Sequence, residues 1–267
     1  MQVTKLRESL VHALDAYLRK DLLVNLYLIY DLHYEREQKA AFYLATEHEK
    51  ILAVLLIYRG YPYASTWVLG SEEGVRKLLD SVGNVKVVLS ATQELSKAVE
   101  ERFPISAKFE MNIMALDASV AKLIVRHDVR RLGVNDAYSW VRSVSSNRAG
   151  KSVEPTGDDV EEAKQLLSKN AAFGVLDAGL LVSRAMSHVK LPDAWAVGGI
   201  FTDPMYRGRG FGTSVTSALA QEALQHTRKV VLFVRSDNTP ANHVYEKIGF
   251  RNIAKRIWLD SGTGIVP

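Results

Sequence analysis

The sequence predicts two α/β domains in tandem, and three observations carry that reading. Strand-like and helix-like patterns alternate along the 267 residues, the order that gives a sheet covered by helices. Each half holds two neighbouring apolar runs joined by a polar turn, which read as a hairpin. The ends of the two halves also resemble each other: "KVVLSATQELSKAVEERF" (Lys86 to Phe103) aligns with "KVVLFVRSDNTPANHVYEKIGF" (Lys229 to Phe250) with small gaps. Strand and helix follow in the same order in both, which favours a duplication.

The first half opens with two helical patterns, Thr4 to Arg19 and about Leu22 to Gln38; Leu6, Leu10, Leu14 and Leu18 draw one apolar stripe. "AAFYLATEHEK" and "ILAVLLIYRGY" form the expected hairpin. "STWVLG", "KVVLSAT" and "AKFEMNIMAL" read as strands, "SEEGVRKLLDSV" and "QELSKAVEERF" as helices. In the second half "VRRLGV" reads as a strand and "NDAYSWVRSV" as a helix. A polar loop and a helix over Asp158 to Ser168 follow, then hairpin strands around Asp177-Ala178-Gly179. "AWAVGGIFT" is a strand, Phe211 to Ala223 a helix, "KVVLFVRS" a strand, "PANHVYEKIG" a helix and "FRNIAKRIWL" a closing strand.

Composition narrows the function. The 47% hydrophobic and 24% charged content fits a globular protein with a real core. A net charge of +4 suits an anionic ligand but falls far short of a polybasic nucleic-acid tail. With no cysteine, disulfides, thiolate-bound zinc and a cysteine nucleophile are excluded. The seven histidines form no metal motif, and "EHE" (Glu47 to Glu49) falls in a hairpin turn, so no metal site is expected. The longest apolar run, Leu22 to Tyr30, has nine residues including Asn25, against roughly 20 for a membrane helix. The N-terminus lacks the apolar stretch of a signal peptide. A soluble cytoplasmic protein without membrane contact is expected.

The chemistry concentrates in "DPMYRGRGFGTS", Asp203 to Ser214. Set between a strand and a helix, it places unpaired backbone amides and the positive end of a helix dipole at one point. Its glycines allow close approach of an anion, so the stretch reads as a phosphate cradle. The known nucleotide loops fit poorly. A P-loop needs lysine then serine or threonine after its last glycine, and Gly212 is followed by Thr213. A dinucleotide fingerprint needs its third glycine one place later. A single short loop between apolar elements is not an arginine-glycine nucleic-acid tract, and nucleic acid is not the expected partner.

What matches is Arg-x-x-Gly-x-Gly at Arg207, Gly210 and Gly212, after the strand "GGIFT" and before "VRSDNTPANHVYEKIGF". On these motifs residues 127–260 resemble a GNAT acetyltransferase domain, and the first half resembles one through the internal duplication. The resemblance implies two tandem GNAT-like domains, each a mixed, mostly antiparallel twisted sheet flanked by helices. They would cover residues 1–120 and 126–267, the first degenerate and the second catalytic. It further implies acetyl-CoA as acyl donor and a primary amine as acceptor: a small amine, a peptide N-terminus or a protein lysine. A longer acyl-CoA, or an acyl-CoA sensor without turnover, are the alternatives.

By the same resemblance, the backbone of Ile200, Phe201 and Thr202 would pair with the pantetheine amides. The loop from Arg207 through Gly208, Arg209, Gly210, Phe211 and Gly212 to Thr213 would hold the pyrophosphate. Asn238 and Asn242 would stand against the cofactor, and Tyr245 would protonate the departing thiolate. Many relatives carry a glutamate base about four residues before Ile200; Ala196 stands there. His188, Asp193 and Asp203 lie nearby in sequence, and none is singled out as its replacement.

In the first half the corresponding loop is "SEEGVRKLL", where Glu72 and Glu73 occupy the phosphate position and only Gly74 remains. The place of Tyr245 falls on Ala98 or Val99. This half is expected not to bind acetyl-CoA and to shape one wall of the acceptor site. The acceptor groove is expected beside Ser143 to Gly157, with Arg148 and Lys151 against Glu154.

Overall fold

The computed structural model describes residues 1–61, 63–83, 85–149 and 154–264. In chain order the elements are β1 (Gln2–Lys5), α1 (Val11–Leu18), α2 (Leu26–Tyr30), β2 (Ala40–Glu47), β3 (Lys50–Tyr58), β4 (Ala64–Gly70), α3 (Glu72–Leu79), β5 (Val87–Ala91), α4 (Gln93–Arg102) and β6 (Ala107–Asp117). They continue with β7 (Arg130–Arg131), α5 (Ala137–Ala149), α6 (Gly157–Lys169), β8 (Ala172–Asp177), β9 (Leu180–Lys190), β10 (Trp195–Thr202), α7 (Phe211–His226), β11 (Lys229–Arg235), α8 (Thr239–Ile248) and β12 (Arg251–Asp260).

The chain divides into two compact units. The first comprises Met1–Met114, Phe233–Thr239 and Asn252–Pro267, and the second Ala115–Leu232 and Pro240–Arg251. A division after residue 120 would count β12 with the second half, whereas the compact units place it in the first. Its alternation explains why: Ile257 and Leu259 lie opposite Ala91 and Leu89 of β5 in an antiparallel pair. Both are buried in one core with Leu55, Val68, Leu95 and Val99.

The first unit's sheet runs β1-β2-β3-β4-β5-β12-β6. One expectation is corrected at its edge. The four-residue leucine spacing predicts helix from Thr4, yet Gln2 to Lys5 pair with β2, Val3 opposite Ala45 and Lys5 opposite Tyr43. The Leu6 N–H continues toward that strand, donating to Phe42 O at 2.8 Å. The ladder wins over local spacing because β-branched Val3 and Thr4 suit a strand, and helix α1 begins only at Val11.

Two features close this unit, one at the start of α3 and one between β4 and β5. At α3 the Ser71 Oγ accepts the Gly74 N–H at 3.3 Å, with Glu72 and Glu73 in the first turn. A Cβ on Gly74 would lie 2.7 Å from Ala53 Cβ, so the helix is pressed onto β3. β4 and β5 pair in parallel from Ala64–Val87 to Trp67–Ser90. There, buried Arg256 of β12 bridges the two strands, donating from Nη2 to Val68 O (2.9 Å) and Ser90 O (2.8 Å) and from Nε to Ser90 Oγ (3.0 Å). Its guanidinium lies 4.9 Å from the Trp67 ring centre.

The second unit's sheet runs β11-β10-β9-β8-β7. The β8–β9 hairpin turns through Ala178 and Gly179, both with positive φ (47° and 80°), the geometry of a tight primed turn. Of the predicted strand "VRRLGV" only Arg130–Arg131 form one, opposite Gly174 and Phe173 of β8. On one side α5 and α6 bury Ala137, Trp140, Ala163 and Leu167 against Leu181 and Met186. Helix α7 buries Val215, Leu219, Ala220 and Ala223. Its serines also tie down the segment before β7: Ser217 Oγ accepts the Ile124 N–H (3.0 Å) and Ser214 Oγ the Arg126 N–H (3.1 Å).

Candidate active site

The site begins where two parallel strands part. β10 and β11 pair only at Trp195–Val230 and Ala196–Val231, although both strands run on, to Thr202 and Arg235. Beyond Ala196 the β11-facing backbone edge of β10 therefore carries no ladder, which is the edge an extended ligand can pair with. Ala196 itself is fully buried.

On its other side β10 bulges against β9. Gly198 lies opposite Met186 but Phe201 opposite Arg184, so β10 carries an extra residue. Gly199 supplies the positive φ of 57°. Buried Arg184 fixes the bulge: its Nη1 donates to Gly199 O at 2.7 Å and its Nε to Ser143 Oγ at 2.8 Å. The Trp140 ring centre is 4.6 Å from the guanidinium.

Past Thr202 the chain turns through a short 3-10 segment, Pro204–Tyr206, whose N-cap is Asp203; its Oδ1 accepts the Met205 N–H at 2.9 Å. Asp203 is thus a turn cap. The glycine loop follows with Gly208 and Gly210 in left-handed conformations (φ 75° and 87°). No atom lies within 4 Å of a Cβ added at Gly208. The first intrahelical bond of α7 runs from Ser214 N–H to Gly210 O. The amides of Phe211, Gly212 and Thr213 thus precede the ladder and lack acceptors inside the helix. An exposed loop with left-handed glycines, leading into a helix N-terminus, has the form of an anion cradle.

Side chains hold this loop to the strand end. Arg207 Nε donates to Thr202 O at 3.1 Å, and Ser183 Oγ lies 3.0 Å from Phe201 O and 2.9 Å from Thr202 Oγ1. A Cβ on Gly212 would stand 3.3 Å from Thr202 Oγ1, which shows how closely the helix start approaches β10. Arg209 stacks its guanidinium over Tyr206 and Phe211 at 5.5 and 5.4 Å. The side chains of Phe201 and Phe211 are core, so a ligand would meet the backbone at those positions.

Ile200 to Thr202 and Arg207 to Thr213 are therefore brought together directly. Asn242 and Tyr245 stand apart on α8, Asn242 half-buried and Tyr245 buried. Burial pushes the Tyr245 hydroxyl up to about 12, so it keeps its proton at neutral pH. The ring meets Phe250 edge-on at 6.0 Å. Asn238 falls in the Phe233–Thr239 segment, which clusters with the first unit; its N–H donates to Arg235 O at 3.1 Å. The side chain of Arg148, and all of Lys151, lie outside the described residues.

Three residues belong to the site that no motif announced. His127 Nε2 donates to Arg209 O at 2.9 Å and its ring stacks on Phe211 at 3.8 Å, clamping the loop from the preceding segment. Arg184 is the second. His188 is the third: its ring lies so close to β10 that a Cβ on Gly198 would stand 2.7 Å from its Cε1. The adjacent glycines Gly198-Gly199 were the available signal, since a strand interior keeps two glycines where something else needs the space. Among the described residues no group of three or more His, Asp or Glu is arranged to hold a metal, and no helix is long and apolar enough to cross a membrane.

Known proteins share the fold. Residues 174–259, under half of the chain, match the family model described as FR47-like protein. A Drosophila protein of solved structure superposes with a TM-score of 0.71 at 15% identity, over 97% of this chain and 98% of that one. A tandem GNAT protein from the clavulanic acid biosynthesis pathway superposes with a TM-score of 0.59 at 15% identity, over 99% of this chain and 100% of the other.

The fold is a tandem GNAT fold.

The expectation of two GNAT-like halves is borne out at the level of fold. A mycothiol acetyltransferase from Corynebacterium glutamicum is 48% identical over 46 residues, 17% of this chain, and the match spans only 16% of that protein's length.

Proposed function

We propose that this chain is an N-acetyltransferase that moves acetyl from acetyl-CoA to a primary amine through its second unit. The observation that carries the reading is a β10 edge with no β11 ladder beyond Ala196, followed by amides at the start of α7 that have no acceptor inside the helix. Acetyl-CoA, when bound, supplies the acyl group already activated as a thioester.

The chain's own residues would divide the work. The edge of Ile200 to Thr202 offers N–H and C=O groups to the pantetheine amides, as an added strand would. The amides of Phe211, Gly212 and Thr213 face the pyrophosphate, and Arg207 and Arg209 add charge at the loop's rim. Asn242 takes a polar group of the cofactor from the first turn of α8. Tyr245 holds a proton on Oη for the leaving sulfur. Holding the reactants in line supplies a large part of the rate. The first unit takes no cofactor: Ser71 already occupies the Gly74 amide, and Arg256 fills the gap between β4 and β5. The acceptor is a small amine, a peptide N-terminus or a protein lysine, and the protein works in the cytoplasm.

The mycothiol acetyltransferase match and the tandem GNAT likeness support the acyl-transfer class. The test is release of CoA thiol from acetyl-CoA in the presence of a panel of primary amines, with each product weighed by mass spectrometry. Amine-dependent release and an acetylated amine are expected. Saturable acetyl-CoA binding without release on any amine would replace the enzyme reading with that of a sensor.

A further inference from the structure

Ala196 carries no proton-accepting group and is fully buried, so this position of β10 supplies no base. The neighbouring strand does. Between β9 and β10 the register passes from Ala196 opposite Val189 to Val197 opposite Ser187, leaving His188 as an extra residue on β9. Such a residue is released from the ladder and its side chain is re-aimed. The His188 ring lies across Gly198 and Gly199: added Cβ atoms there would stand 2.7 Å from its Cε1 and 3.7 Å from its Nε2. These glycines occupy the first stretch of β10 that has lost its β11 partner. Yet the side chain is solvent-exposed. The ring thus packs along the Gly198-Gly199 backbone while part of the residue stays open to solvent.

Desolvation by the surrounding protein, with a smaller contribution from the Arg184 charge, lowers the imidazole to about 4. At neutral pH the ring is therefore uncharged. Arg184 also holds the neighbouring bulge through Gly199 O.

We propose that His188 Nε2 accepts the proton of the attacking amine, a catalytic residue delivered from β9 in place of one on β10. This rests on the N-acetyltransferase reading. As the amine nitrogen bonds to the acyl carbon and the carbon–sulfur bond breaks, the nitrogen gives one proton to His188 Nε2. The sulfur takes one from Tyr245 Oη, and exchange with solvent restores both side chains.

The decisive test is proximity, read without an acceptor. The protein is loaded with acetyl-CoA carrying a 13C-labelled methyl group, and the His188 ring signal is assigned by its loss in His188→Gln. A nuclear Overhauser contact between the acetyl methyl and the His188 ring is expected. In a second arm, acetyl transfer to hydroxylamine is measured. His188→Ala should lower kcat by about 100-fold or more, leave KM for acetyl-CoA unchanged, and regain part of the rate with added imidazole. Bound acetyl-CoA with no methyl–ring contact, or an unaltered kcat in His188→Ala, would overturn the proposal while leaving the functional reading in place. Failure of the wild-type protein to bind acetyl-CoA would overturn both.

Discussion

Tyr245 combines two properties that rarely serve packing alone. It is 6% exposed, and its hydroxyl makes no hydrogen bond to a described residue. Its proton is held until far above neutral pH. Tyr245→Phe is therefore expected to leave the unfolding midpoint nearly unchanged, because no hydrogen bond is lost, and to lower kcat by about 10- to 100-fold. Parallel denaturation and single-turnover measurements check this; a large loss of stability with unchanged turnover would make Tyr245 a packing residue. At this scale the sequence was readable where a residue's role depends on its neighbours in the chain. Gly208 and Gly210 are needed for their own φ, and Asp203 caps the turn directly after it. His127, Arg184 and His188 act on residues 10 to 82 positions away, and no local pattern carries such a pairing.

The two parallel strand pairs, one in each unit, show how one element pattern is kept open or shut. β10 and β11 separate after two paired residues. β4 and β5 hold four, and Arg256 then donates to both strands. Burial lowers this guanidinium to about 10, still far above neutral pH. Replacing it leaves Val68 O and Ser90 O without their donor in a dry interior, and unmet buried groups of this kind cost about 1–3 kcal/mol each. Arg256→Met is thus expected to destabilise the protein by about 2–4 kcal/mol in urea unfolding without creating a second cofactor site, because Ser71 still caps α3. A change below about 0.5 kcal/mol would mean that the bridge is incidental. Most elements were legible from hydrophobic period, since long strands and amphipathic helices bury one face. Two were not. β1 was masked by leucines spaced as in a helix, and its pairing with β2 decided its conformation. "VRRLGV" shrank to two strand residues because only Arg130 and Arg131 meet β8.

For the whole molecule, duplication was visible in the paired "KVVL" strands, but the partition of the chain was not. The first unit includes β12, supplied from the far end of the sequence, where Ile257 and Leu259 complete a core begun by residues 45–103. An antiparallel partner can come from any distance along the chain, so periodicity could place β12 as a strand without saying beside which neighbour. The central claim concerns how the two halves share the work: one cofactor cradle in two related units. Calorimetric titration of the intact chain with acetyl-CoA, repeated on Gly210→Asp/Gly212→Asp after its folding is verified by circular dichroism, tests that claim most directly. The account predicts saturable binding of one acetyl-CoA per chain, abolished in the double variant because carboxylates at the start of α7 repel the pyrophosphate. Two equivalents of similar affinity, or full binding by the folded double variant, would contradict it.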